Sequence, residues 1–164
     1  MSLAELPEPL REALGHPEAA ATLLLELISE QVEANAPEAD TFALFGLALA
    51  ESKNLAALEP LLSGAGAHGP RGIDLASLCA ANAIRRASAE GRAAPSNTAR
   101  AALGLVEAAV ADGQAAYELC LLMHALERGG VARTWQARVV AARQTLMAAP
   151  TLEAAQRRAL AALS

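Results

Sequence analysis

His16, His68 and His124, Cys79 and Cys120, Tyr117 and Trp135 are the residues here best equipped for nucleophilic, metal-binding or aromatic chemistry, and their spacing decides what they could do. His16 falls at a helix boundary and His68 in a Gly-rich segment, which leaves His124 as the histidine placed inside a helix. Tyr117, Leu121, His124 and Arg128 recur at helical spacing and so share one stripe. A second mixed stripe carries Leu75, Cys79, Asn82 and Arg86. Polar groups set in apolar stripes either satisfy one another in a core or line a groove. If both stripes face one cleft, a phenol, an imidazole, a carboxamide and guanidinium groups converge there, enough to hold a small molecule. Arg138 and Arg143 flank a third stripe, Trp135, Val139, Ala142 and Leu146, in which the indole is expected in the core. Those two arginines suit a phosphate, a carboxylate or an acidic peptide.

Enzyme signatures are otherwise missing from the pattern. The segment 64–72 is Gly-rich but has no Lys and follows no strand, so it is no phosphate loop. Neither Cys79 nor Cys120 has a His at a recognisable spacing, and the pair suggests neither a disulfide framework nor a zinc site. Ser63 and Ser77 sit in no nucleophile elbow. No catalytic residue, metal or cofactor is expected, and the pattern favours a non-enzyme.

The elements that must position these groups follow from composition. Of 164 residues, 43 are Ala and 27 are Leu, the strongest helix formers, while aromatics make up 2%. The expected fold is all-α, with antiparallel helical hairpins delimited by Pro and Gly. Helices are predicted near 3–14, from Pro17 to about Asn35, over 41–51, from an Asn54 cap to Leu62, and over 75–89 after an Asp74 cap. Further helices are predicted over 98–111 after Ser96 or Asn97, over 114–128, over 133–148, and from a Thr151 cap to Leu163. Residues 63–73 read as the longest loop and the most mobile internal segment. On the helix from Pro17, Leu23, Leu24, Leu27, Ile28 and Val32 form an apolar arc opposite Glu26, Glu30 and Glu33. The helix 114–128 is apolar nearly all round and therefore central.

Glu8-Pro9-Leu10 recurs as Glu59-Pro60-Leu61, and Ala-Pro recurs at 36–37, 94–95 and 149–150. These signals suggest a single domain over 1–164 with three units of about 55 residues, 3–53, 54–112 and 113–164. Two architectures fit, an α-solenoid or a compact helical bundle. The apolar stretch 19–25, which contains Thr22 and is ended by Glu26, falls well short of the ~20 residues that span a bilayer. The first residues lack the basic and apolar regions of a secretory signal, so a cytoplasmic, bacterial-type protein is expected. Charge is uneven: residues 1–70 hold eleven acids and two bases (−9), residues 71–164 eleven bases and seven acids (+4), which together give the net −5. Such halves can interlock within one fold or drive self-association, and the negative total disfavours nucleic acid.

Residues 116–142 carry Ala116-Tyr117-Glu118-Leu119-Cys120, Gly129-Gly130-Val131, Ala137 and Ala141-Ala142. This run resembles the Sel1 variety of tetratricopeptide repeat, in which a Gly-rich turn joins two helices. It departs from that pattern at Cys120, where Gly is expected, and in the length of its first helix. The resemblance implies a partner-binding helical scaffold. The leading expectation is thus an adaptor, chaperone-like or assembly factor that binds a helix or peptide in a groove. The alternative is a small-molecule-binding or catalytic bundle using His124 and Tyr117 with Asn82 and Arg86.

Overall fold

The computed structural model describes residues 8–34, 39–113, 117–129, 131–149 and 152–163. Among them every regular element is helical. In chain order they are α1 (Glu8–Ala13), α2 (Pro17–Ala34), α3 (Ala39–Glu51), α4 (Leu58–Ala65), α5 (Gly69–Ala89), α6 (Ser96–Ala111), α7 (Tyr117–Arg128), α8 (Arg133–Met147) and α9 (Ala154–Ala161). Short 3-10 turns at Leu55–Ala57 and Gly66–His68 flank α4. The expected units 3–53, 54–112 and 113–164 hold α1–α3, α4–α6 and α7–α9. Pro9 and Pro60 each lie in the first turn of a helix, where the missing N–H is no loss.

Helices pack in two series. α2, α4, α6 and α8 each contact the next, as do α3, α5, α7 and α9. α5, the longest, is flanked by α3 and α7 and also touches α2 and α4. Its buried side chains are accordingly small and numerous, including Ala76, Cys79, Ala80, Ala83, Ile84 and Ala87. The closest approach is at Gly46 of α3, where a Cβ would lie 2.0 Å from the Cys79 carbonyl oxygen. Only a residue without a side chain lets the two backbones meet there. In α7, Leu119, Leu122, Met123 and Leu126 are fully enclosed, which agrees with its expected central place, although α5 shares it. In α2, Leu24 and Ile28 are buried and Glu26, Glu30 and Glu33 exposed, as the sequence pattern requires.

Several expectations are corrected. Residues 63–73 are not a loop: α4 runs to Ala65 and α5 begins at Gly69, so only a single 3-10 turn separates them. Gly69, at φ 73°, makes the break, and Pro70 then starts α5 in its first turn. Leu61, Leu62 and Ala65 anchor the segment in the core. Asp74 therefore lies inside α5 and caps nothing. Asn54 precedes the first 3-10 turn without capping it; its Nδ2 donates instead to the Leu14 carbonyl at 2.5 Å, buried, tying the α3–α4 connection to the end of α1. Pro95, not Ser96 or Asn97, takes the N-cap position of α6. Thr151 lies outside the described residues, and α9 is opened by a capping box in which Glu153 N–H donates to Gln156 Oε1 at 3.1 Å. Trp135 is half-buried at the core's edge, with Val139 and Leu146 enclosed behind it.

Candidate functional site

Two depressions involve α8, one on each side. The first lies against α7, which brings His124, Glu127 and Arg128 to one face by their spacing of three and four residues. α8 contributes Gln136 and Arg143, two turns apart, and the volume of the depression is about 350 Å³. Arg143 Nε stands 2.7 Å from Glu127 Oε2, with side chains only 23% and 26% exposed. Both atoms are buried and neither forms an aligned hydrogen bond, so the contact is a charge pair rather than a directed bond. Gln136 Nε2 donates to the Glu127 carbonyl at 3.3 Å.

His124 Nε2 is buried and has no hydrogen-bond partner. The nearby Leu163 backbone favours the charged form of the ring. Burial nevertheless holds the imidazole below its ordinary 6.5, and Arg128 and, more weakly, Arg143 press in the same direction. The cavity thus presents an unpartnered imidazole nitrogen beside two guanidinium groups and one carboxylate.

Behind this wall, Arg157 of α9 closes the end of α8. Its guanidinium donates to the carbonyls of Met147 and Ala149, and its Nε to that of Leu152 at 3.3 Å. The last carbonyl of α8 and two carbonyls of the α8–α9 connection are thereby satisfied by one cation.

The second depression is an open apolar groove of about 460 Å³ between α6 and α8. Leu103, Val106 and Val110 form one side, Ala141 and Ala142 the other. Val110 is 43% exposed and is the one exposed large apolar side chain among the described residues. Charge rims the groove: Arg138 lies 3.7 Å from Glu107 and its guanidinium sits 5.2 Å from the Trp135 ring. Arg100 approaches the same indole at 5.7 Å.

Of the residues singled out from sequence, His124, Arg128 and Arg143 share the α7–α8 cavity, and Arg138 belongs to the groove. Tyr117 is half-buried against the core and lines neither. Asn82 donates to the Leu78 carbonyl of its own helix at 3.0 Å. Arg86 pairs with Glu90 at 3.1 Å and with Glu51 of α3 at 3.5 Å. The cavity's second wall therefore comes from α8 rather than from the Asn82–Arg86 stripe of α5. A helical stripe says which residues share a face but not which neighbour that face meets. Glu127 and Gln136 were not singled out from sequence. Glu127's place three residues after His124 was the available signal.

Asp74 is a separate titratable centre. Burial first, then the Glu118 carboxylate, raise it to about 7, against the opposing pull of Arg71. Among the described residues no group of three or more His, Cys, Asp or Glu is placed to hold a metal ion. No described helix is long and apolar enough to cross a membrane. Compared with known proteins, the chain matches no family model, and neither a curated sequence nor a solved structure is significantly similar to it.

Proposed function

We propose that the chain is a protein-interaction module that docks an acidic amphipathic helix in the groove between α6 and α8. The observation that carries this reading is Val110, a β-branched side chain 43% exposed above a trough lined by Leu103, Val106, Ala141 and Ala142. A helix laying one apolar face in such a trough gains about 25 cal/mol for each Å² of apolar area it covers. The acidic character of the partner follows from charge. Residues 71–164 carry eleven bases against seven acids, and beside the groove the guanidinium groups of Arg100 and Arg138, around Trp135, outnumber the Glu107 carboxylate of the rim. The resemblance of 116–142 to a Sel1-type repeat, with Ala116 and Gly130 outside the described residues, is in keeping with a partner-binding scaffold.

A photo-reactive amino acid at position 110 tests the reading in cells. The cross-linked segment is identified, synthesised as a peptide and titrated against the purified protein, with the single Trp135 as fluorescent reporter. An acidic amphipathic helix that loses about tenfold or more in affinity against Val110→Glu supports it. A segment of other character, or one bound equally by the variant, overturns it. Cross-linking of the acidic face of a second copy, at Glu26, Glu30 and Glu33, would replace the foreign partner by self-association.

A further inference from the structure

Six buried side-chain atoms among the described residues have no hydrogen-bond partner: Gln31 Oε1, Ser77 Oγ, Thr98 Oγ1, His124 Nε2, Glu127 Oε2 and Arg143 Nε. The last three converge on the single α7–α8 cavity. Of these, Glu127 Oε2 and Arg143 Nε face each other as an ion pair at 2.7 Å, and His124 Nε2 alone is left without a partner, at a cost in stability that a ligand bound there would relieve. Charge decides which ligand. Arg128 and Arg143 against Glu127 give the lining a net +1, and an imidazolium at position 124 would make it +2. The volume, about 350 Å³, exceeds that of a bare ion and accommodates a metabolite-sized molecule.

We propose that the α7–α8 cavity binds a small organic oxyanion, carboxylate or phosphate, held by Arg128, Arg143 and His124 Nε2. Arg143 is available because its contact with Glu127 is close but misaligned, so an entering anion with better geometry takes over its donors. Glu127 is then a competitor of the ligand. Burial favours the neutral form of His124, and the charges facing it are Arg128 and Glu127 from α7 and Arg143 from α8, with the Leu163 backbone beyond α9. An anion beside Nε2 favours the protonated ring, so binding takes up a proton and tightens as pH falls.

The test is a titration of the purified protein with inorganic phosphate and, separately, with succinate, at constant ionic strength. Imidazole ¹⁵N resonances provide the readout, with His16 and His68 as internal references. Saturable change confined to His124 is expected in at least one arm, and the arm that saturates distinguishes phosphoryl from carboxylate recognition. Arg128→Gln, on an exposed side chain that the fold can spare, should weaken binding about tenfold. Glu127→Gln should strengthen it, an outcome that a merely structural role would not produce. No saturation in either arm, an equal drift of all three histidines, or affinity untouched by both variants overturns the proposal. Val110→Glu should leave this titration unchanged, so the cavity and the groove stand or fall separately.

Discussion

Asp74 and His124 respond to pH in opposite senses because burial penalises charge on both, and only one is charged when deprotonated. The native state holds the Asp74 proton up to about 7, whereas an unfolded chain releases it near the ordinary 3.8. Folding therefore binds a proton across that interval, and the stability this group contributes is full below it and lost as pH rises through about 7. Asp74→Asn should accordingly raise the melting temperature at about pH 8, where Glu118 repels the charged carboxylate, and change it little near pH 4. Thermal melts across that range check this, and an equal effect at both ends would contradict it. For His124 the sign reverses: the neutral ring is the native one, so its share is present above 6.5 and is lost as pH falls below that value. The Asp74 titration was not legible in the sequence, whereas the downward shift of His124 follows from its place in an apolar helix beside Arg128. Asp74 occupied what looked like a helix cap, and its meeting with Glu118 depends on α5 lying against α7.

Glycine makes the same point at the level of elements. Gly46 and Gly104 both sit mid-helix, in α3 and α6, and nothing local separates them. A Cβ at Gly46 would strike the Cys79 carbonyl oxygen, part of a backbone that cannot turn aside, whereas one at Gly104 would meet nothing within 4 Å. Gly46→Ala should thus cost about 3 kcal/mol by forcing α3 away from α5. Gly104→Ala should stabilise by about 0.5–1 kcal/mol through helix propensity alone. Urea denaturation of the pair decides, and a common sign would refute the packing account. Arg157 governs the α8–α9 junction in a comparable way. Arg157→Ala should cost about 1–3 kcal/mol, and Arg157→Lys should recover only part, since a point charge cannot reach three carbonyls as a planar fork does. What sequence conveyed well at this scale was local: Pro17 opening α2, the Leu24–Ile28 stripe, the ends of α6 and α8. The 63–73 segment misleads because its glycines suggest freedom, whereas the buried Leu61, Leu62 and Ala65 tie it to the core.

Across the molecule, the two series of helices give each element neighbours mainly one or two places away in the chain, with α5 held from both sides. Opening free energy should follow that order. Hydrogen exchange is expected to be slowest in the centres of α5 and α7, near Cys79–Ala83 and Leu122–Leu126, and fastest in α1, which precedes the two series, and in α9 at the end of one. Slow exchange in α9 equal to that of α5 would show a single cooperative unit instead. The charge asymmetry of the sequence is partly consumed inside the fold. Glu51 of the acidic stretch meets Arg86 of the basic one, and Arg92 donates to the Ala50 carbonyl at 2.7 Å, bracing the end of α3.

Cys79, whose carbonyl meets Gly46, has no exposed surface, and burial pushes its thiol up to about 12; Cys120 on the neighbouring α7 is likewise enclosed and raised to about 11. Since the thiolate is the reacting species, both sulfurs are silent while the helices stay together. The protein thus carries two latent chronometers on adjacent beams. An alkylating reagent or an oxidant leaves intact molecules unmarked and stamps only those in which the helices packed around Cys79 or Cys120 have come apart. In an ageing or stressed population, the tally of modified sulfurs would then record how often each molecule has breathed, long after it has closed again.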